Sequence, residues 1–146
     1  MTSVFPESSV INIQREMQIK ASIADVFESI IMEMGEGNRT PDGTSMNMKL
    51  ERWPGGRWYR DLGNNSGHLW GHVQVIKPPT IIEICGPMFM SYPVMSHVQY
   101  KLKEEAGGTL LSLSHRAIGD LMPEHKKGVS MGWDHQLSRI KDRCTK

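Results

Sequence analysis

Cysteine is almost missing from this chain: Cys85 and Cys144 are the only two among 146 residues. Two thiols cannot build a disulfide framework, so a reducing, cytoplasmic setting is expected. No stretch approaches the roughly 18 apolar residues of a membrane span. Residues 1–8 lack the basic head and apolar run of a signal peptide, and none is expected. Charge of either sign is not in excess, because 17 basic and 16 acidic side chains leave a formal +1. That balance excludes the basic footprint of a nucleic-acid or anionic-membrane binder. Internal repeats, low-complexity segments and long linkers are missing too. Residues 1–146 therefore read as one domain, long enough to bury a real core. Phenylalanine is scarce at 3, whereas methionine reaches 11. Methionine is flexible and polarizable and fills irregular apolar space, so it fits either a gap-filled core or a cavity wall that adapts to guests.

What is present is patterned. Val129, Trp133, Leu137, Ile140 and Cys144 recur at steps of four, four, three and four, the stripe of an amphipathic helix over 123–143. Pro123 suits its first turn. Gly128 and Gly132 lie near the same face, each weakening the helix by roughly 1 kcal/mol relative to alanine. They point to close packing on a sheet or to room left for a ligand. At the other end, Ile11, Ile13, Met17 and Ile19 share one parity, interrupted by Arg15, as in a half-buried strand over 10–20. Ser22 is placed to cap a helix carried by Ile23, Val26, Phe27, Ile30, Ile31 and Met34. The turn formers of 35–44 predict a mobile loop, a lid or portal. Strands follow over 46–53, 57–61, 68–76, 80–85, 95–103 and 109–117, joined mainly by short turns. Strands linked that way form an antiparallel meander.

Few residues offer chemistry. His68 and His72 have helical metal-ligand spacing but lie on a strand, where four residues span roughly 13 Å at about 3.3 Å each. No metal site is expected from them. His115 shares parity with Leu111 and Leu113 and so ends an apolar row, where it is either an acid–base group or a hydrogen-bonded strand-end histidine. His97 takes the outer face with Gln99 and Lys101, and Glu83 is expected to face solvent. No carboxylate dyad, phosphate loop or nucleophile elbow occurs, and the cysteines lack activating neighbours. Neither a catalytic set nor a cofactor is expected. Trp53, Trp58, Tyr59, Trp70 and Tyr100 could stack on bases, but the charge balance argues against nucleic acid.

Ala21-Ser22 with Asp25-Val26-Phe27, Pro54-Gly55-Gly56-Arg57-Trp58, Gly71 with Val73, Pro78-Pro79, Gly108 to Leu113, and Gly132-Trp133 follow one another along the chain. In these residues the chain resembles the activator-of-heat-shock-protein-ATPase (AHSA-like) family of the SRPBCC, or START-like, superfamily. The resemblance implies an α+β helix-grip fold, like that of birch-pollen-allergen-like proteins: a bent antiparallel sheet of about seven strands wrapped around a long C-terminal helix. It also implies a pocket between sheet and helix. No counterpart of the extra N-terminal domain of eukaryotic chaperone activators is part of the resemblance, so co-chaperone activity is not carried over. The expected occupant is a small hydrophobic molecule, with Met48, Trp58, Trp70, Tyr100, His115, Met131 and Trp133 as liners. Two alternatives stand beside this. One is a cyclase- or hydrolase-like enzyme using His115 or His72 as acid–base group with Tyr59 or Tyr100 as donor. The other is a protein-interaction or chaperone-associated module, with a homodimer left open.

Overall fold

A computed structural model describes residues 9–145; the N-terminal segment considered above for a signal peptide lies outside the described residues. The chain runs β1 (Val10–Ile19), α1 (Ile23–Met34), β2 (Met48–Leu50), β3 (Arg57–Gly63), β4 (Ser66–Lys77), β5 (Ile81–Gly86), β6 (Val94–Glu105), β7 (Gly108–Gly119) and α2 (Pro123–Cys144). All seven strands join one sheet in the order β1-β7-β6-β5-β4-β3-β2, every pair antiparallel. Helix α1 carries the chain from one edge of the sheet to the other, so the first strand meets the last. No helix among the described residues is long and apolar enough to cross a membrane.

Alternation places the core on one face. Val98, Tyr100 and Leu102 of β6 and Leu111, Leu113, His115 and Ala117 of β7 are all buried, and their chain neighbours face outward. On the outer face Glu83 receives hydrogen bonds from His97 Nε2 at 2.9 Å and Gln99 Nε2 at 3.1 Å, and these hold its carboxyl below the usual range. The strict alternation fails in β4, where Trp70 and Gly71 are consecutive and both buried while His72 is exposed. The pairing of β3 with β4 slips between Trp58 and Tyr59. Across β5, a Cβ on Gly71 would lie 2.7 Å from the Cys85 carbonyl oxygen, and one on Gly86 would lie 2.3 Å from that of Trp70. Only bare backbone fits this crossing. The bulge and the two glycines together turn the Trp70 ring inward.

The helices follow from their stripes. Ser22 Oγ accepts the Asp25 backbone N–H at 3.1 Å, the expected cap, and Val26, Phe27, Ile30, Ile31 and Met34 are buried. Glu33 lies on the same stripe and is fully buried, held by Arg143 Nη2 at 2.9 Å and Arg139 Nε at 3.2 Å from α2. Arg139 Nη2 also donates to the Gly37 carbonyl at 2.9 Å. Arg15, which interrupts the apolar parity of β1, donates to Asp134 at 2.9 Å and Ser130 Oγ at 2.8 Å. It fastens the first strand to α2.

Two expectations need correction. The strand over 46–53 shrinks to Met48–Leu50, because Asn47 adopts a positive φ of 53° and the Glu51 carboxylate folds back onto the backbone N–H and side chain of Arg57. The loop 35–44 is irregular, as expected, but its root is docked. Asn38 is buried and donates through Nδ2 to the Glu33 carbonyl at 3.0 Å, and Arg39 and Ser45 form a β-bridge.

Candidate functional site

Between the sheet and the N-terminal half of α2 lies a cavity of about 240 Å³. Its floor is aromatic, made by Trp58 of β3, Trp70 of β4 and His115 of β7, and Trp133 of α2 faces them. Trp58 and Trp70 meet edge to face with centroids 5.1 Å apart, and Phe89 adds a second edge to Trp70 at 6.0 Å. Such contacts hold ring orientations as well as burying area. Met46 and Met88 complete the apolar wall, and residues 38–41 close one side. Gly128 and Gly132 form part of the helical side, and a Cβ built on either would meet nothing within 4 Å. They do not pack against the sheet. Both are exposed, so the space beside them is the solvent-open rim of the cavity.

His115 is 1% exposed and has both ring nitrogens engaged. The Trp133 indole N–H donates to Nδ1 at 2.9 Å, and Nε2 lies 2.9 Å from Ser96 Oγ. An indole nitrogen can only donate, so Nδ1 carries the lone pair and Nε2 the proton. Burial lowers the pKa to about 4, which keeps the ring neutral at physiological pH. Its one basic lone pair is already occupied. As an acid–base group it is poorly placed; as a clamp that fixes Trp133 against β7 it is well placed.

Of the expected liners, the structure brings Trp58, Trp70, His115 and Trp133 together around the cavity. The other three lie elsewhere. Met131 is 73% exposed, because two positions from both Val129 and Trp133 put it on the opposite side of the helix. Met48 is buried in a separate groove beneath α1, beside Ile31 and Gly35. Tyr100 lies behind the wall, edge-on to Trp133 at 6.1 Å, and burial holds its phenol pKa well above the usual value. The enzymatic alternative loses its partners in the same way: His72 is exposed on the outer face, and Tyr59 packs under the Arg57 guanidinium at 4.6 Å. Among the described residues no cluster of three or more His, Cys, Asp or Glu side chains could hold a metal ion.

Sequence reading placed 35–44 at the pocket as a lid or portal, where residues 38–41 form wall, and it missed Gln136, Met88 and Phe89. Gln136 had a signal, standing four residues after Gly132 on the same helical face. Phe89 had none, since a segment without periodicity has no predictable facing. A larger depression of about 540 Å³ lies against the 106–109 turn, Gln18, Lys20 and Lys141, but no candidate residue reaches it.

Comparison with known proteins places this geometry. The fold matches an uncharacterised protein from Rhizobium leguminosarum with a TM-score of 0.71 at 17% identity, covering 92% of this chain and 94% of that one. A protein of Chromobacterium violaceum gives 0.70 at 16% identity, with 92% and 97% covered. The di-domain ARO/CYC StfQ of the steffimycin biosynthetic pathway gives 0.65 at 12% identity; 94% of this chain matches 51% of that one. Among curated proteins no sequence match was found. At these identities the likeness shows the fold, which is the helix-grip arrangement of the SRPBCC proteins. The family model described as Activator of Hsp90 ATPase homolog 1-like protein matches residues 40–144, a span that holds most of the cavity wall and all of α2. By that match the chain belongs to the Activator of Hsp90 ATPase homolog 1-like family.

Proposed function

We propose that this protein binds a small, largely apolar molecule in the cavity between the sheet and α2, without converting it. The observation that carries the reading is the cavity itself, an aromatic floor of Trp58, Trp70 and His115 faced by Trp133, with the bare glycine backbone of α2 at its rim. A helix that only had to cover a core would gain stability from larger residues at both positions. Rings and methionines on the walls favour apolar guests, and buried apolar area would supply most of the affinity. The likeness to an ARO/CYC protein supports a cyclase-like second reading, but that reading lacks a usable base in His115.

The test is to titrate the purified protein with a graded panel of aromatic and aliphatic compounds. Tryptophan fluorescence reports binding, because three indoles line the cavity, and chromatography of the mixture reports conversion. Saturable binding that strengthens with ligand hydrophobicity until the cavity is full is expected. Binding by no compound in the panel would overturn the reading, and product formation lost in His115→Ala would replace it with the enzymatic one.

A further inference from the structure

Three indole N–H groups surround the cavity, and their fates differ. Trp58 Nε1 donates to the Met34 carbonyl at 2.7 Å, and Trp133 Nε1 donates to His115 at 2.9 Å. Trp70 Nε1 is buried and has no partner among the described residues. On the helical side, Gln136 Oε1 is likewise buried without a partner. The other unpartnered buried side-chain atoms belong to Arg60, Tyr100 and His135, none of which lines the cavity. Two of the lining residues therefore each hold a buried, unpaired polar atom, an indole N–H on β4 and an amide oxygen on α2. Buried polar groups are otherwise almost always satisfied, so a pair of exceptions in one wall calls for an explanation.

Rigidity sets the Trp70 donor apart. Trp70 is 7% exposed and wedged between the Trp58 and Phe89 rings, so its N–H cannot swing out to find water. Gln136 is half-buried, one turn beyond Gly132 on the helix face that Trp133, Leu137 and Ile140 bury. The volume narrows the occupant further. A cavity of about 150 Å³ holds benzene, and drug-sized ligands need about 300 Å³ or more. At about 240 Å³ this one fits a single ring with short substituents or a fused pair of rings.

From this we infer that Trp70 and Gln136 are specificity-determining residues. They select a compact ring compound whose rim offers an acceptor to the indole N–H and a donor to the amide carbonyl, as a phenolic hydroxyl or a ring lactam does. The inference rests on the proposed apolar-ligand site and adds the polar edge that such a ligand must carry. A pure hydrocarbon of the same shape leaves both groups unpaired and gains only from apolar burial, so it binds more weakly.

Three probes separate the contributions: naphthalene, 2-methoxynaphthalene with an acceptor only, and 2-naphthol with both acceptor and donor. Affinities are measured by calorimetry on the native protein, Trp70→Phe and Gln136→Leu, with circular dichroism and the naphthalene affinity as checks that fold and cavity persist. The native protein should bind 2-naphthol roughly tenfold more tightly than naphthalene, with 2-methoxynaphthalene between them. Trp70→Phe should abolish the advantage of both oxygenated probes over naphthalene. Gln136→Leu should remove only the advantage of 2-naphthol over 2-methoxynaphthalene. Equal or tighter binding of naphthalene by the native protein overturns the inference and leaves the apolar site intact. A preference for 2-naphthol that survives in both variants overturns it equally. No binding of any probe overturns the site itself.

Discussion

Replacing Gly128 and Gly132 by alanine separates stability from function in a way few other changes here can. Both lie inside α2, where glycine costs roughly 0.8–1.0 kcal/mol relative to alanine. Neither new methyl group meets any atom within 4 Å, so no clash offsets the gain. The double variant should therefore be more stable by about 1–2 kcal/mol, which for a chain of this size raises Tm on the order of 5 °C. Larger side chains carry the same logic into the site. Gly132→Leu keeps the helix propensity but places a branched side chain in a cavity of about 240 Å³. It should bind an apolar ring probe at least about tenfold more weakly than the native protein, with no loss of stability. Urea and thermal melts give the first quantity, and calorimetric titration gives the second. A lower Tm for the double alanine variant would mean that the glycines touch structure after all. Undiminished affinity in Gly132→Leu would mean that the glycine face is no part of the site.

Two further outcomes follow from buried groups. His115 titrates near 4 in the folded chain and near 6.5 when unfolded, so the unfolded state binds more protons between these values and stability falls as pH drops through that window. The loss attributable to this group approaches about 3 kcal/mol by pH 4, and urea melts at pH 7, 5.5 and 4 should show a shallower pH dependence in His115→Gln; an unchanged slope would place the proton elsewhere. Removing the Glu33 carboxylate in Glu33→Ala leaves two guanidinium groups facing a buried void and should cost about 3 kcal/mol in the same assay. A loss below about 1 kcal/mol would show that both arginines simply turn to solvent.

Much of this architecture is legible in the order of residues, and the exceptions have physical causes. The Ser22 cap, the α1 and α2 stripes and the inward row ending at His115 depend on local periodicity, which the sheet and helices preserve. Trp70 reaches the cavity only because a bulge and the Gly71–Gly86 crossing break the two-residue repeat, and counting parity alone does not reveal that. Placing Met131 in the wall treats chain neighbours of Trp133 as neighbours in space, although a helix turns about 100° per residue. Glu33 is legible in principle. A carboxylate on an apolar stripe must be paired, and Arg139 and Arg143, four apart on α2, are the available partners. The contributions of Phe89 and residues 38–41 arise from tertiary docking of segments with no period to read.

The sheet order also sets a timetable for the nascent chain. Val10 of β1 pairs with Ile118 of β7, so the first strand made must wait for the last. At synthesis rates of about 5–20 residues per second, the intervening residues take roughly 5–20 s to appear. The hairpins from β3 to β7 close between adjacent strands and can form during that interval. Helix α2 emerges after all seven of these strands, so the aromatic floor of Trp58, Trp70 and His115 stays open to water, and to other chains, until α2 is made. Contacts so distant in sequence slow folding. The helix that completes the ligand cavity is thus also the element that ends the chain's most aggregation-prone period.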